Sequence, residues 1–359
     1  MRGRLVACIS IFAVMALSNA IVPLLPSYHP SASIQGIIYA GYFLGAFALT
    51  LPAGILSDLY GRITVMRSGL FVTVPSGLIL CIFSDPVVVI LARLLEGAGA
   101  GLFVAATMAY INSLPDHEAM SGWYMASLNT GLVLGLVVSG YLAVTITGMA
   151  GIAVFTGTCL VGTGLSLTIS EPYQAVRDPD PRKHIPPLIA GHWWFWYSAV
   201  ILIGITGVVT SLYPAFSLAG NDIDSIWIAG MSVSTILTSL VVSRMFLRPV
   251  NAIRTGAVIM AAGVILILYS PAGFLIIGAA AGIVIIAQMN FLSHATRYQG
   301  IAMGLFSTAS YLGMGVLPFL SGFMADSAGY RATFIIFTGA ALSVALTIGK
   351  AFRPARIAS

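Results

Sequence analysis

Apolar runs of about 20 residues recur from one end of this chain to the other, and they exclude a soluble fold. Each run is long enough to cross a hydrocarbon layer of ~30 Å as a helix that rises about 1.5 Å per residue. Only 8% of the 359 residues are charged, about a third of the fraction that a soluble domain carries. We therefore expect an all-α integral membrane protein. The runs predict twelve transmembrane helices, near 4–25, 33–55, 63–83, 86–109, 121–145, 148–169, 190–213, 225–246, 251–269, 272–292, 300–323 and 330–351.

The first run also has features of a secretory signal, whose cleavage would leave eleven helices. Arg2 and Arg4 form a basic start, and Ser18, Asn19 and Ala20 resemble a small-x-small cleavage site. The apolar stretch continues beyond that site, and a basic start fits a retained helix equally well. We expect the run to remain as the first helix.

The basic residues predict the orientation of the helices. With the N-terminus in the cytoplasm, only Arg331 of the 16 Lys and Arg residues falls in an outside loop, and Arg93 lies within a helix. Such an excess of inside charge is typical of multi-pass membrane proteins. We predict a protein of the cell membrane (plasma or inner membrane) with both termini in the cytoplasm. Basic residues scattered over short loops do not form the continuous patch that a nucleic-acid partner would need.

The two halves of the chain are related in sequence. Glu171–Pro187 is a proline-rich polar stretch between them. We predict a six-helix bundle in residues 1–170, a cytoplasmic linker in 171–187 and a second six-helix bundle in 188–359. The matching residues are Gly122, Gly131, Ser139 and Gly140, which recur 182 residues later as Gly304, Gly313, Ser321 and Gly322, and Gly97 and Gly101, which recur as Gly278 and Gly282.

The connection between the second and third helices contains Gly54, Asp58, Gly61 and Arg62. This pattern resembles the signature of the major facilitator superfamily, although Leu59 and Ile63 replace two residues that are usually basic. The resemblance implies twelve helices in two pseudo-symmetric bundles that rock around a central site. It also implies that this loop latches the two halves on the cytoplasmic side. Without the resemblance, the same residues could form an ordinary charged turn.

The fourth helix contains Arg93, Glu96, Gly97, Gly99 and Gly101, which resembles a second motif of the superfamily with Glu in place of the usual Gln. In the family the Arg of this motif is linked to proton transfer. A charge within the membrane is expensive unless it is paired or wet, and a spacing of three residues places Arg93 and Glu96 on one helix face. We infer that Glu96 binds and releases a proton. The alternative is a static ion pair that fixes helix packing.

The fifth helix resembles the antiporter motif of the family, which is typical of drug:proton exporters. Leu136 replaces the proline of that motif, so the expected kink is lost. The alternative is a glycine groove for helix packing. The matching residues are Gly122, Gly131, Gly135, Ser139 and Gly140.

Other polar residues within the helices are candidates for the wall of a central cavity. Few fixed charges suit an apolar or amphipathic substrate better than a phosphate or a dicarboxylate. The sequence has no catalytic signature and no ATP-binding motif, so we expect no enzyme activity, no cofactor and no metal. The cavity candidates are Asn19, Tyr39, Tyr42, Asn129, Thr206, Tyr213, Gln288, Asn290 and Tyr311.

We therefore predict a secondary active transporter, a monomer in the lipid bilayer, that works by alternating access. Proton-coupled efflux of a small compound is favoured by the motifs. The alternatives are proton-coupled uptake of a small metabolite, and a membrane receptor or assembly factor that keeps the fold without transporting.

Overall fold

The computed structural model describes residues 2–28, 32–170, 183, 185–217, 221–245, 247–296 and 298–348, and its regular elements in these ranges are all helical. A short 3-10 turn covers Val22–Leu24. The α-helices are α1 (Arg2–Ala20), α2 (Leu25–Tyr28), α3 (Ala32–Tyr60), α4 (Arg62–Ile82), α5 (Pro86–Asn112), α6 (His117–Thr145), α7 (Ala150–Ser166), α8 (Ile185–Gly191), α9 (Trp193–Phe216), α10 (Asn221–Val242), α11 (Pro249–Ile267), α12 (Gly273–Ala295), α13 (Gln299–Ala328) and α14 (Tyr330–Thr347).

Twelve of these helices correspond to the twelve predicted spans. Within the described residues, 10 are long and apolar enough to cross a membrane, and α7 and the Ile226–Val242 part of α10 are shorter apolar helices. The remaining two, α2 and α8, have only 4 and 7 residues. The prediction of an all-α membrane protein with twelve transmembrane helices is confirmed.

The first span ends as a regular helix earlier than predicted. α1 stops at Ala20, and the chain continues through the 3-10 turn into α2 instead of remaining α-helical to residue 25. Pro23 lies in this turn. It has no N–H to donate to the carbonyl group of Asn19, four residues earlier, so the helical hydrogen-bond pattern is interrupted there.

The chain forms two compact units. Unit 1 contains Met1–Pro179 and Thr296–Thr308, and unit 2 contains Asp180–Ala295 and Ala309–Ser359. In unit 1, α5 packs against α3 and α4, while α1 packs against α6 and α7. In unit 2, α12 packs against α10 and α11, while α14 packs against α11 and α9. The predicted linker lies largely outside the described residues, and its last three residues belong to α8.

Equivalent glycines bring equivalent helices close together in the two units. A Cβ atom on Gly97 of α5 would overlap the carbonyl oxygen of Tyr42 in α3. The matching Gly278 of α12 has the same relation to Met231 in α10. Only a residue without a side chain permits such an approach between two helix backbones.

A second pair of glycines repeats this arrangement. A Cβ atom on Gly131 of α6 would overlap the carbonyl oxygen of Phe12 in α1, and one on Gly313 of α13 would overlap that of Val200 in α9. The glycine matches found in the sequence therefore mark equivalent helix contacts, as expected for two pseudo-symmetric halves.

Candidate functional site

The turn between α3 and α4 places the residues of the first motif. Gly61 has φ = 94°, a left-handed conformation that favours glycine, and it is the single residue between the end of α3 and the beginning of α4. Asp58 in the last turn of α3 and Arg62 in the first turn of α4 are each only 1% exposed. Arg62 lies within electrostatic reach of the Asp58 carboxylate.

The Asp58 carboxylate binds the beginning of α13. One oxygen accepts the backbone N–H of Gly300 and the other accepts that of Ile301, each at 2.9 Å. The first N–H groups of a helix have no acceptor within that helix, and a negative charge is favourable at this end. One side chain of α3 therefore satisfies two donors from a segment more than 240 residues away.

Gly54 lies one turn before Asp58 and allows this contact. A Cβ atom at Gly54 would overlap the carbonyl oxygen of Gly300 and would lie 2.9 Å from the Cα atom of Gly304. The backbones of α3 and α13 therefore touch at this point. Any larger residue at Gly54 would separate the Asp58 carboxylate from its two donors.

The end of α5 makes a second contact with α13. The Asn112 amide nitrogen lies 3.4 Å from the side-chain oxygen of Gln299 and 3.6 Å from the sulfur of Met303. One turn further along α13, the Ser307 hydroxyl donates to the sulfur of Met108 at 3.5 Å. No motif in the sequence indicated these residues, since a lone Asn or Met in an apolar helix is uninformative.

The Arg93–Glu96 pair is buried inside unit 1. The Nη1 atom of Arg93 lies 2.6 Å from Oε2 of Glu96, and the two side chains are 1% and 0% exposed. The Arg93 Nε and Glu96 Oε1 atoms form no hydrogen bond with any residue that the structure describes. Burying two charges costs several kcal/mol for each ion unless the geometry is very good, so this pair carries a large energetic cost with some hydrogen-bonding capacity unused.

Three other helices contribute residues to the surroundings of the pair. The guanidinium carbon of Arg93 lies 4.8 Å from the ring centre of Tyr42 in α3. Tyr28 of α2 and Cys159 of α7 lie within electrostatic reach of Glu96. Cys81 of α4 lies within electrostatic reach of Tyr28. These neighbours are neutral at pH 7.

The glycines of the antiporter-like motif pack α6 against α1. A Cβ atom on Gly135 would overlap the carbonyl oxygen of Ala16, as one on Gly131 would overlap that of Phe12. Ser139 donates to the carbonyl of Ala20 at 2.6 Å, at the end of α1.

The other two glycines of this motif have looser surroundings. Gly122 is buried near the start of α6, and Gly140 has room for a Cβ atom, which would lie 3.7 Å from Pro23. The motif therefore forms a helix-packing groove in unit 1. Whether it also serves antiport stays a prediction.

Several cavity candidates hydrogen-bond to backbone groups in their own unit. Asn19 donates to the carbonyl of Leu132 at 2.9 Å, and Asn129 donates to that of Met125 in its own helix at 2.9 Å. Thr206 likewise donates to the carbonyl of its own helix three residues earlier. Polar side chains in membrane helices commonly bond backbone in this way.

The remaining candidates lie in different environments. Gln288 of α12 is fully buried and donates to the hydroxyl of Ser198 in α9 at 3.1 Å. The Tyr213 ring meets that of Phe274 edge-on at 4.9 Å. The ring of Tyr39, a 40% exposed residue, lies beside that of Phe43. Asn290 and Tyr311 are half-buried, and Tyr42 covers Arg93.

Two arginines that the sequence placed only among the inside charges bind helix ends. Arg67 of α4 donates to the carbonyl group of Ser166, the last residue of α7, and to that of Ile169, three residues beyond it. Arg254 of α11 donates to the carbonyl of Ala345 in the last turn of α14, at 3.2 Å. The last carbonyls of a helix lack intrahelical donors, and a cation is favourable there. In the sequence, the only indication of this role is that each of these arginines lies near the start of the third span of its half.

Comparison with known proteins agrees with this architecture. Residues 5–318 match the sequence model of the Major Facilitator Superfamily. Multidrug resistance protein 2 of Bacillus subtilis is 23% identical over 354 residues, which cover 88% of this chain and 87% of that protein. The quinolone resistance protein NorA of Staphylococcus aureus is 22% identical over 349 residues, with 88% of each chain covered.

Solved structures show the same fold at low sequence identity. The E. coli fucose:proton symporter FucP has a TM-score of 0.80 at 13% identity, with 97% of this chain and 98% of that chain covered. The human organic anion transporter MFSD10 has a TM-score of 0.78 at 16% identity, with 97% and 99% covered.

Proposed function

Because the chain belongs to the major facilitator superfamily, whose members carry small molecules across membranes, we propose that it exports a small, largely apolar compound in exchange for protons. The substrate moves by alternating access between two six-helix bundles, residues 1–170 and 188–359, joined by a cytoplasmic linker at 171–187.

The observation that carries proton coupling is the buried Arg93–Glu96 pair. A carboxylate at 0% exposure, with one oxygen bonded to Arg93 and the other without a hydrogen bond to a described residue, has the chemistry of a proton site. Protonation removes the negative charge from the low-dielectric interior, and deprotonation restores the ion pair. A purely structural contact would be made at lower cost by two apolar side chains of similar size.

The direction of transport is inferred from the relatives. The two bacterial proteins described above are named for resistance to multiple drugs and to quinolones, and they match this chain over most of its length. The glycine pattern of α6 also resembles that of drug:proton exporters. A chain with 8% charged residues offers few fixed cations for a strongly anionic substrate, so we infer an apolar or amphipathic cargo.

The Asp58 contact is proposed to act as a latch. In the predicted orientation, the turn between α3 and α4 and the beginning of α13 lie at the cytoplasmic ends of their helices. Opening toward the cytoplasm would require the two N–H···O bonds of Asp58 to break, and closing would re-form them. A passive receptor or assembly factor has no need of such a contact, which argues against the non-transporting alternative.

The test is transport in proteoliposomes under an imposed pH gradient, with dyes, quinolone antibiotics, sugars and organic acids offered in parallel. We expect an apolar or amphipathic compound to move opposite to the protons, and movement to stop when a protonophore collapses the gradient. Transport of a sugar or an organic acid in the same direction as protons would establish the uptake alternative instead. Absence of transport for every compound class would contradict the proposal.

A further inference from the structure

Tyr42 covers the cation of the buried pair. The ring centre lies 4.8 Å from the guanidinium carbon of Arg93, within the distance of about 6 Å at which a cation is attracted to an aromatic face. Tyr42 is 4% exposed and Arg93 is 1% exposed. Desolvation strengthens this attraction.

Two glycines bring α3 and α5 close together at the residue that carries the ring. A Cβ atom on Gly97 would overlap the carbonyl oxygen of Tyr42, and a Cβ atom on Gly41 would lie 3.3 Å from the Cβ atom of Arg93. α3 and α5 therefore lie close together at residues 41 and 42, where the ring is attached. This approach places the backbone of Tyr42 against α5, the helix that contains Arg93.

In the second half of the chain, the equivalent helices make the same close contact. That half has no arginine at the position equivalent to Arg93 and no aromatic ring at the position equivalent to Tyr42. Gly278 is the counterpart of Gly97, and it touches Met231, the counterpart of Tyr42. Four residues before Gly278, at the position equivalent to Arg93, the chain has Phe274. Close packing of these helices therefore does not require an aromatic residue at this place. The ring occurs in the half that has the arginine.

The ring matters most when Glu96 is neutral. With Glu96 ionised, Arg93 has a counter-ion at 2.6 Å. With Glu96 protonated, a single cation remains in the membrane, which costs several kcal/mol without compensation. In the described part of the chain, the titratable groups within electrostatic reach of the pair include Tyr28, Tyr39 and Cys159. Cys81 lies within electrostatic reach of Tyr28. Each is uncharged at pH 7 and none can replace the lost carboxylate.

We propose that Tyr42 is a positioning residue for proton coupling, whose ring stabilises Arg93 while Glu96 carries its proton. The inference rests on the proposed function, because it assumes that Glu96 is protonated during the transport cycle. The ring therefore sets the pH at which the carrier takes up its proton, and it does not contact the substrate to do so. Removing the ring makes the protonated state less favourable.

The test compares transport against pH for Tyr42→Leu, Tyr42→Phe and the wild type in proteoliposomes. We expect the half-maximal pH of Tyr42→Leu to move in the acid direction by roughly one unit, since a unit corresponds to ~1.4 kcal/mol and the cation–ring attraction has about that size. Tyr42→Phe keeps the ring and should keep the wild-type midpoint. Phe47→Leu, which changes a 41% exposed aromatic residue of the same helix, is the matched control.

A second series of variants distinguishes the electrostatic effect of the ring from its contribution to packing. Fluorinated phenylalanines at position 42 keep the size of the ring while withdrawing charge from its face, so the midpoint should become more acidic as fluorines are added. A midpoint that does not change in either series would overturn the role of Tyr42.

If Glu96→Gln loses gradient-driven transport while the Tyr42 variants keep the wild-type midpoint, only this inference fails. If Glu96→Gln transports normally, proton coupling through the pair fails as well.

Discussion

For Asp58, the sequence predicted that the residue makes a contact but not which groups it contacts. Its place in a motif, with Gly54, Gly61 and Arg62, predicted a contact at this turn. Its partners are the backbone N–H groups of Gly300 and Ile301. Backbone N–H groups occur in every residue except proline, so no residue type in the second half could have indicated them.

Replacing Asp58 with Asn should slow turnover more than it weakens substrate binding. Asn has one acceptor oxygen, and its amide group would face an N–H donor, so one of the two bonds to α13 is lost together with the charge. Hydrogen bonds to charged groups contribute about 1.5–3 kcal/mol, which predicts a fall in turnover of roughly tenfold or more. The measurement is the transport rate in proteoliposomes beside the substrate Kd in detergent.

The matched control for this prediction is Asp85→Asn. Asp85 caps the beginning of its own helix, α5, by accepting the N–H groups of Val87 and Val88. Asn is about as good a cap as Asp, so this variant should turn over at the wild-type rate. Equal turnover of Asp58→Asn and wild type would contradict the latch.

The buried pair was partly visible in the sequence as well. Two charges three residues apart on one helix face predicted their proximity, and the structure brings them to 2.6 Å. The sequence did not reveal that Tyr42 covers Arg93, and Tyr42 was counted only as a candidate for the cavity wall. Which face of one helix meets which face of another depends on packing between distant segments, and hydropathy does not encode it.

At the scale of the helices, apolar length was a sufficient guide to number and approximate position. A bilayer leaves no water to satisfy open backbone groups, so nearly every apolar run must be helical. The end of α1 departs from the predicted range because the local effect of Pro23 overrides the length of the run. The only sequence signals for the close helix contacts were the glycines of the motifs and the glycines that recur in both halves.

Gly54→Ala tests the contact between α3 and α13. The added methyl group would overlap the carbonyl oxygen of Gly300, and backbone cannot move aside as a side chain can. Overpacking of this kind costs about 1–3 kcal/mol. We expect a lower unfolding temperature in detergent and slower turnover in proteoliposomes.

Gly157→Ala in α7 is the control, because a Cβ atom there meets nothing within 4 Å. Alanine is favoured over glycine within a helix by about 0.5–1 kcal/mol, so this variant should be as stable as wild type or slightly more so. If Gly54→Ala behaved like Gly157→Ala, α3 and α13 would not be in contact in the working protein.

At the scale of the whole molecule, charge and duplication in the sequence predicted the architecture, while the membership of the compact units was not foreseen. Residues 296–308 belong to unit 1, although they lie far along the second half of the sequence. The contacts that place them there are two backbone N–H groups, two glycines and a few Asn, Gln and Met side chains. Such contacts have no periodic signature, so neither hydropathy nor residue offsets could reveal them.

The predicted orientation can be checked with two introduced cysteines. Tyr269 follows α11 and is 83% exposed, and Tyr60 ends α3 and is 68% exposed. If the N-terminus is cytoplasmic, Tyr269→Cys should react with a membrane-impermeant maleimide on intact cells, and Tyr60→Cys should react only after permeabilisation. Wild-type protein gives the background from the native cysteines. The reverse labelling pattern would show the opposite orientation.

Proton-coupled export through the Arg93–Glu96 pair is tested most directly in everted membrane vesicles that acidify their interior. The measurement is accumulation of an identified substrate by wild type and Glu96→Gln, beside substrate exchange without a gradient. Wild type should accumulate the compound as protons leave, whereas Glu96→Gln should exchange it without accumulating it. Accumulation by Glu96→Gln at the wild-type level would contradict the mechanism.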